Sequence, residues 1–156
     1  MESLWSNNCD YFALTGRVLI KVVDVYDGDT ITAITEVPSG NLEASSACFA
    51  KFRFRLFGID TPEMRGEDRV RGRHARNRLA QLLIRSETPI LDEGKLKKRF
   101  NDGTSSYFAW AECTPNKSDK YGRVLARVFL DEKCTTTQCV NDILVQENHA
   151  RPFMCT

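Results

Sequence analysis

The apolar and polar positions of this chain alternate in several short stretches, a pattern typical of half-buried β-strands. Residues 16–26 are rich in β-branched side chains and end at an Asp-Gly turn signal, after which strand character resumes over 30–34. These two stretches predict a hairpin. In 51–57, aromatic side chains alternate with basic ones, so we expect the aromatic face in the core and Arg55 on the polar side.

The second half of the chain combines a helical period with further strands. Apolar residues recur at helical spacing over 71–85 and predict a helix whose opposite face is largely arginine. Residues 106–113 and 123–130 predict two more strands, joined by a polar turn. A short amphipathic helix is predicted from about residue 140 to about Asn148, a residue that tolerates a left-handed cap.

Five strands with helices inserted late favour a mainly β fold with peripheral α-helices (α+β). The expected architecture is a five-stranded barrel of the oligonucleotide-binding (OB) type with two or three helices, and an open α+β sheet is the competing one. We expect this domain to span residues 16–153, behind an N-terminal tail of residues 1–15. The stretches 36–47 and 95–104 predict loops, because the first lacks periodicity and is rich in Pro, Gly and Ser, and the second is basic.

Composition limits the classes of protein to which the chain can belong. Its 156 residues suit one domain, and no apolar run approaches the roughly 18 to 20 residues that a membrane helix needs. The net charge of +1 gives no strong attraction to polyanions, so affinity for nucleic acid must come from local basic clusters such as 69–78 and 95–99. We therefore expect a monomer that does not enter a membrane.

The cysteines and the N-terminus bear on the compartment. The six cysteines form no CxxC pair, and the chain begins without a basic segment followed by an apolar stretch of signal-peptide length. We expect reduced cysteines in a cytoplasmic protein, or a secreted protein if a leader has been removed.

Three polar fragments carry the candidate chemistry: residues 27–30, 54–63 and 119–123. Each alone is typical of a turn or of a capped helix start. Together they hold carboxylates, whose oxygens suit calcium or magnesium, and arginines, whose planar forks suit phosphate. Zinc is disfavoured, because His74 and His149 lie in no zinc-like spacing. The combination favours a phosphodiesterase.

Five residues are the candidates for that chemistry. Asp29 and Asp60, with a backbone carbonyl, can supply an all-oxygen environment to a cation. Arg55 and Arg123 can neutralise the charge that grows on the phosphoryl oxygens during cleavage. Glu63 can orient or deprotonate the attacking water as a general base.

Several motifs occur in the order seen in one known family. They are VYDGDT, FRLFGIDTPE, a Gly followed two residues later by HA and then RLAQLL, DKYGRVLA, and VNDILV with a terminal HARPF. Over residues 16–153 the chain resembles the staphylococcal-nuclease-like, or thermonuclease, family. The resemblance implies an OB-type barrel with a calcium-dependent nuclease site that acts on DNA and RNA with little sequence preference. It also implies hydrolysis at the 5' P–O bond, which leaves 3'-phosphate ends.

The matching motifs imply a role for each candidate. Asp29 and Asp60 resemble the side-chain calcium ligands, and Thr61 would add its backbone carbonyl. The two candidate arginines resemble a phosphate clamp, and Glu63 resembles the water-activating glutamate.

Four neighbouring residues are implied to assist. Tyr121 resembles a nucleotide-contacting tyrosine, and Lys120 is expected to touch a terminal phosphate. Asp27 and Asp119 are expected to support their loops rather than to touch the ion.

The chain departs from the family pattern in three places, and two other functions compete with the nuclease. The loop after the second strand is longer than usual, 95–99 looks like an insertion, and Phe153 lies near where relatives often carry a tyrosine. A non-catalytic binding module on the same fold is the main alternative, although such modules lose the acidic and arginine residues that are present here. A structural calcium-binding protein would leave the arginines unexplained.

Overall fold

The computed structural model describes residues 13–38, 47–90, 96–102 and 106–154, without the side chains of Asn101 and of residues 115–117. Most of the expected N-terminal tail and the middle of the first predicted loop lie outside the described residues. Within these ranges, no helix is long and apolar enough to cross a membrane. The cysteines of the described part are free thiols: Cys48, Cys113, Cys134 and Cys139.

The strands of the described chain are β1 Gly16–Val25, β2 Thr30–Val37, β3 Cys48–Leu56, β4 Ile59–Asp60, β5 Tyr107–Ser118, β6 Val124–Phe129 and β7 Arg151–Pro152. Five of them close into a barrel in the order β1-β2-β3-β6-β5, with β5 pairing back onto β1. All neighbours are antiparallel except β3 and β6, which run parallel. The closed barrel confirms the predicted mainly β fold of the OB type and rules out the open sheet.

In the described chain, three α-helices accompany the barrel: α1 Arg69–Ile84, α2 Leu96–Asn101 and α3 Val140–Gln146. The predicted helices over 71–85 and from residue 140 are confirmed, with small differences at their ends. Asn148 follows α3 with a left-handed φ of 62°, as its cap-forming tendency predicts.

The prediction of a loop over 95–104 was wrong where α2 lies. Leu96 and Phe100 of this helix are buried at 5% and 1% exposure, and Phe100 packs its ring against that of Tyr107. Residues four apart share one face of a helix, so two apolar side chains are enough to seat this short basic helix on the barrel.

The core is built from the barrel strands and from α1. Ile20, Ile31 and Phe54 of the strands are fully buried, and Leu79 and Leu83 of α1 belong to the same core cluster. Inward and outward positions alternate along the second half of β3, which places its basic residues on the outer side of the barrel. The two short strands β4 and β7, which the sequence pattern did not predict, form a separate two-stranded sheet beside that surface.

Candidate active site

Asp29 is a buried carboxylate at the turn between β1 and β2, with 6% of its surface exposed. The turn is shaped by Asp27, whose Oδ1 accepts the backbone amide of Asp29 at 3.1 Å. Gly28 lies so close to its surroundings that a Cβ there would be 2.7 Å from the Cβ of Ala75 and 2.9 Å from that of Thr61. A glycine at this position therefore lets the turn press against α1 and the segment after β4.

Arg55 joins the two candidate ligand carboxylates. It lies on β3 and is paired in register with Thr30 of β2. Its Nη1 is 3.1 Å from Oδ2 of Asp29, and its Nη2 donates to Oδ1 of Asp60 at 3.4 Å. Only 13% of its side chain is exposed, so the three charges interact with little screening by water. The strand that carries an arginine thus brings together acids from two different turns.

Thr61 connects the segment after β4 to Asp29. Its backbone amide and its hydroxyl both donate to Oδ2 of Asp29, at 3.1 and 3.0 Å, and the residue is buried. This double hydrogen bond holds the Asp60 and Thr61 backbone beside the buried carboxylate.

Arg123 reaches the same cluster from the turn before β6. The carboxylate of Asp119 holds Arg123 in place. It accepts one hydrogen bond from the backbone amide of Arg123, at 2.9 Å, and another from its Nε. Its Nη1 donates to the hydroxyl of Thr30 at 3.0 Å, and that hydroxyl donates to Oδ1 of Asp29 at 3.3 Å. Partial burial acts to raise the pKa of Asp119, but hydrogen bonds from Arg123 and Tyr121 outweigh it and hold that pKa below its usual 3.8.

Tyr121 stands out from the same turn as an exposed aromatic ring between two cations. It is 72% exposed, with Nζ of Lys120 5.1 Å and the guanidinium carbon of Arg123 5.4 Å from the ring centroid. Gly122 completes the turn with a left-handed φ of 76°, a conformation that glycine adopts without strain. An exposed ring beside positive charges can stack on a base while the charges meet its phosphates.

Glu63 is exposed and borders the same cleft as Asp60 and Thr61. Helix α1 packs directly against its backbone at Gly72, where a Cβ would be 2.3 Å from the carbonyl oxygen of Glu63. The contact fixes the main chain of Glu63, while its carboxylate remains open to water.

The acidic turn has the chemistry of a hard-cation site. Burial, followed by repulsion from Asp29, raises the pKa of Asp27 to about 6. No group of three or more His, Cys, Asp or Glu residues in the described chain is arranged to hold a metal. The carboxylates of Asp29 and Asp60, which both contact Arg55, could act as side-chain donors together with backbone carbonyls and water. This oxygen-only donor set fits calcium.

Two residues of this cluster were not among the sequence candidates. Thr30 has a signal, since it directly follows Asp29, but its hydroxyl bridge to Arg123 depends on the barrel. Arg151 lies in the terminal HARPF motif, but nothing in the sequence predicts its contact with Asp60. Its Nε and Nη2 donate to Oδ2 of Asp60 at 3.2 and 2.9 Å, across a separation of 91 residues.

Comparison with known proteins identifies the family of the chain. Residues 53–155 match the family described as staphylococcal nuclease homologue, and the chain belongs to that family. Its fold is accordingly of the nuclease type. The chain is also similar to an uncharacterized protein of Methanocaldococcus jannaschii, with 30% identity over 145 residues that cover 86% of this chain and 58% of the relative. The chain thus spans little more than half the length of that protein.

Proposed function

We propose that this protein is a calcium-dependent nuclease that hydrolyses the 5' P–O bond of DNA and RNA with little sequence preference and leaves 3'-phosphate ends. The observation that carries the proposal is one contact network: Arg55 contacts Asp29 and Asp60 directly, and Arg123 joins Asp29 through the hydroxyl of Thr30. Membership of the staphylococcal nuclease homologue family supports the same chemistry.

Asp29, Asp60 and the backbone carbonyl of Thr61 would hold the calcium ion. When bound, the ion supplies positive charge that stabilises the phosphoryl oxygens as negative charge grows on them. Arg55 already neutralises part of the acidic charge, which keeps both carboxylates oriented before any ligand arrives. The two carboxylates are thus preorganised by hydrogen bonds rather than by packing alone.

The two arginines would hold the phosphate that is cleaved. A guanidinium presents two parallel N–H donors and stays charged at all working pH values, so it suits phosphoryl oxygens. Arg123 is fixed by Asp119 and Thr30, and Arg55 by the candidate calcium ligands, so neither arginine must be ordered when the substrate binds. Such preorganisation lowers the entropic cost of reaching the transition state.

Glu63 would accept the proton of the attacking water. Its carboxylate is exposed in the cleft next to Asp60, where a water molecule can approach a bound phosphate. Lys120 and Tyr121 would hold the nucleotide, the lysine by a terminal phosphate and the tyrosine by its exposed ring. Contacts of this kind read no base edges, which agrees with little sequence preference.

The experiment that tests the proposal is incubation of single-stranded DNA and RNA with the purified protein in calcium, in magnesium and in excess calcium chelator. Cleavage in calcium that stops in chelator is the expected result. Intact nucleic acid in calcium, with the protein shown to be folded, would favour the non-catalytic module.

A further inference from the structure

A cavity of about 650 Å³ adjoins the candidate active site. It shares Asp60, Thr61 and Glu63 with that site, and Arg71 and His74 of α1 form one wall. The segment after α3, residues 148–151, forms another wall. The volume lies within the roughly 300 to 1,000 Å³ of clefts that bind small molecules. We call this space the flanking cavity.

The two walls of the flanking cavity are tied together. Arg78 of α1 donates from Nε and Nη2 to the two carboxylate oxygens of Glu147, at 2.6 and 2.9 Å, just after α3. The backbone amides of His149 and Ala150 both donate to the carbonyl of Leu144, at 2.8 and 3.1 Å, which fixes the turn. The cavity is therefore formed before any ligand binds.

Arg151 places a positive charge at the junction of the flanking cavity and the candidate active site. The pairing of β4 with β7 sets Arg151 opposite Asp60. Its guanidinium contacts Oδ2 of Asp60 while 76% of its side chain stays exposed, so a ligand can reach it. Arg71 adds a second exposed guanidinium, 2.9 Å from a carboxylate oxygen of Asp68.

The charge balance of the flanking cavity would change if Asp60 held calcium as proposed. Asp60, Glu63 and Asp68 oppose the two arginines in the protein alone. A calcium ion held by Asp60 would offset part of this acidic charge and leave the arginines to attract an anion. His74 and His149 add imidazole rings, which can stack on a base or donate to phosphate.

We propose that the flanking cavity binds the nucleotide next to the cleaved phosphodiester of a single-stranded nucleic acid, with its phosphate held by Arg151 and Arg71. This inference rests on the proposed function, because it assigns a neighbouring subsite of the same cleft. A polymer that places one phosphate between Arg55 and Arg123 must carry its next nucleotide out of that site. The flanking cavity offers an adjoining, preformed space with two exposed arginines for it.

The test compares a thymidine dinucleotide, which has a single phosphodiester, with a thymidine pentanucleotide. For Arg151→Ala, kcat/KM should fall about tenfold more on the pentanucleotide than on the dinucleotide, through KM, because the loss of one charged phosphate contact adds to any effect of its contact with Asp60. Arg71→Ala should show the same preference. Arg17→Ala removes an exposed, ion-paired arginine on the barrel, where Glu112 lies 3.0 Å away, and should leave both substrates unchanged.

Equal losses on both substrates would overturn the subsite, because an arginine that only positions Asp60 affects every substrate alike. Binding of the same two substrates is also measured by fluorescence anisotropy, in proteins that carry Arg123→Ala. This background is chosen because it should slow turnover and because Arg123 does not line the flanking cavity. Failure of the wild-type protein to cleave either substrate would count against the nuclease. The anisotropy measurement would still test whether the flanking cavity binds a nucleotide. That proposal would be overturned if the pentanucleotide does not bind, or if Arg151→Ala does not weaken its binding.

Discussion

Arg123 donates a hydrogen bond from Nη1 to the hydroxyl of Thr30, 3.0 Å away, although 93 residues separate them. The same hydroxyl donates to Asp29 at 3.3 Å. One threonine thus links the arginine of the β5–β6 turn to the buried carboxylate of the β1–β2 turn. The candidate phosphate-binding arginine and the candidate calcium-binding carboxylate are therefore connected by two hydrogen bonds.

Removal of this bridge should lower activity without unfolding the protein. Thr30→Val keeps the shape of the side chain but removes the hydroxyl that connects Arg123 to Asp29. Because a misplaced catalytic group lowers the rate, kcat should fall about tenfold to a hundredfold. The measurement is steady-state kinetics on single-stranded DNA, with thermal unfolding as a check on folding. Thr32→Val, two residues along β2, is the control and should keep kcat within twofold. Equal rates for the two variants would exclude a role for the bridge.

Glu63→Gln tests the proposed general base. The amide keeps the size of the side chain but cannot take a proton from water, so kcat should fall about a hundredfold or more. Calcium binding, read by titration calorimetry, and nucleotide binding should stay within about twofold. Glu67→Gln, an exposed neighbour in the short helix Gly66–Asp68, is the matched control. If calcium binding falls in proportion to kcat, Glu63 is instead a ligand or a structural residue.

Gly72→Ala tests the contact between α1 and the backbone of Glu63. Within a helix this change normally stabilises a protein by about 0.5 to 1 kcal/mol. Here the added Cβ would meet the carbonyl oxygen of Glu63 at 2.3 Å, so the free energy of unfolding should fall by about 1 to 3 kcal/mol. Urea denaturation measures it. Val70→Ala, at an exposed position of the same helix, should not destabilise, and a stabilised Gly72→Ala protein would refute the contact.

Asp119→Asn tests the anchor of Arg123. The pKa of Asp119 is lowered on folding, so its carboxylate stabilises the protein above pH 3.8, and this contribution is lost as the pH falls below that value. The variant should lose about 1 to 2 kcal/mol of stability at neutral pH, and the difference from the wild type should vanish in acid. Activity should also fall at neutral pH, because Arg123 loses its partner.

The control for this change is Asp131→Asn. Asp131 accepts the backbone amide of Thr135, four residues on, as Asp119 accepts that of Arg123. It lies in the turn after β6, outside the cleft, so kcat should stay within twofold. A similar loss of kcat in both variants would mean that general stability, rather than the position of Arg123, sets the rate.

Much of the fold could be predicted because its signals are local. Alternation along β3 placed Arg55 on the polar side of the barrel, and the Asp-Gly turn marked the hairpin that carries Asp29. Helix α2 was missed because its burial rests on Leu96 and Phe100 within a basic stretch. Two apolar residues are too few to show a helical spacing of apolar positions within a stretch of charged residues.

The candidate site was predictable only as a set of fragments. Asp29, Asp60 and Arg123 lie in distinct motifs, and the structure brings them together. The contact of Arg151 with Asp60 arises from strands of two residues each, which are too short to show any alternation. The roles assigned to all these side chains stay predictions until activity is measured.

The most direct test of the account compares wild-type protein with Arg55→Ala and Arg123→Ala on end-labelled single-stranded DNA in calcium, with analysis of the product ends. The account predicts 3'-phosphate ends from the wild type. In each variant the rate should fall by on the order of a thousandfold or more, by analogy with other phosphate-stabilising arginines. Losses below tenfold in folded variants would contradict it. So would intact DNA with the folded wild-type protein.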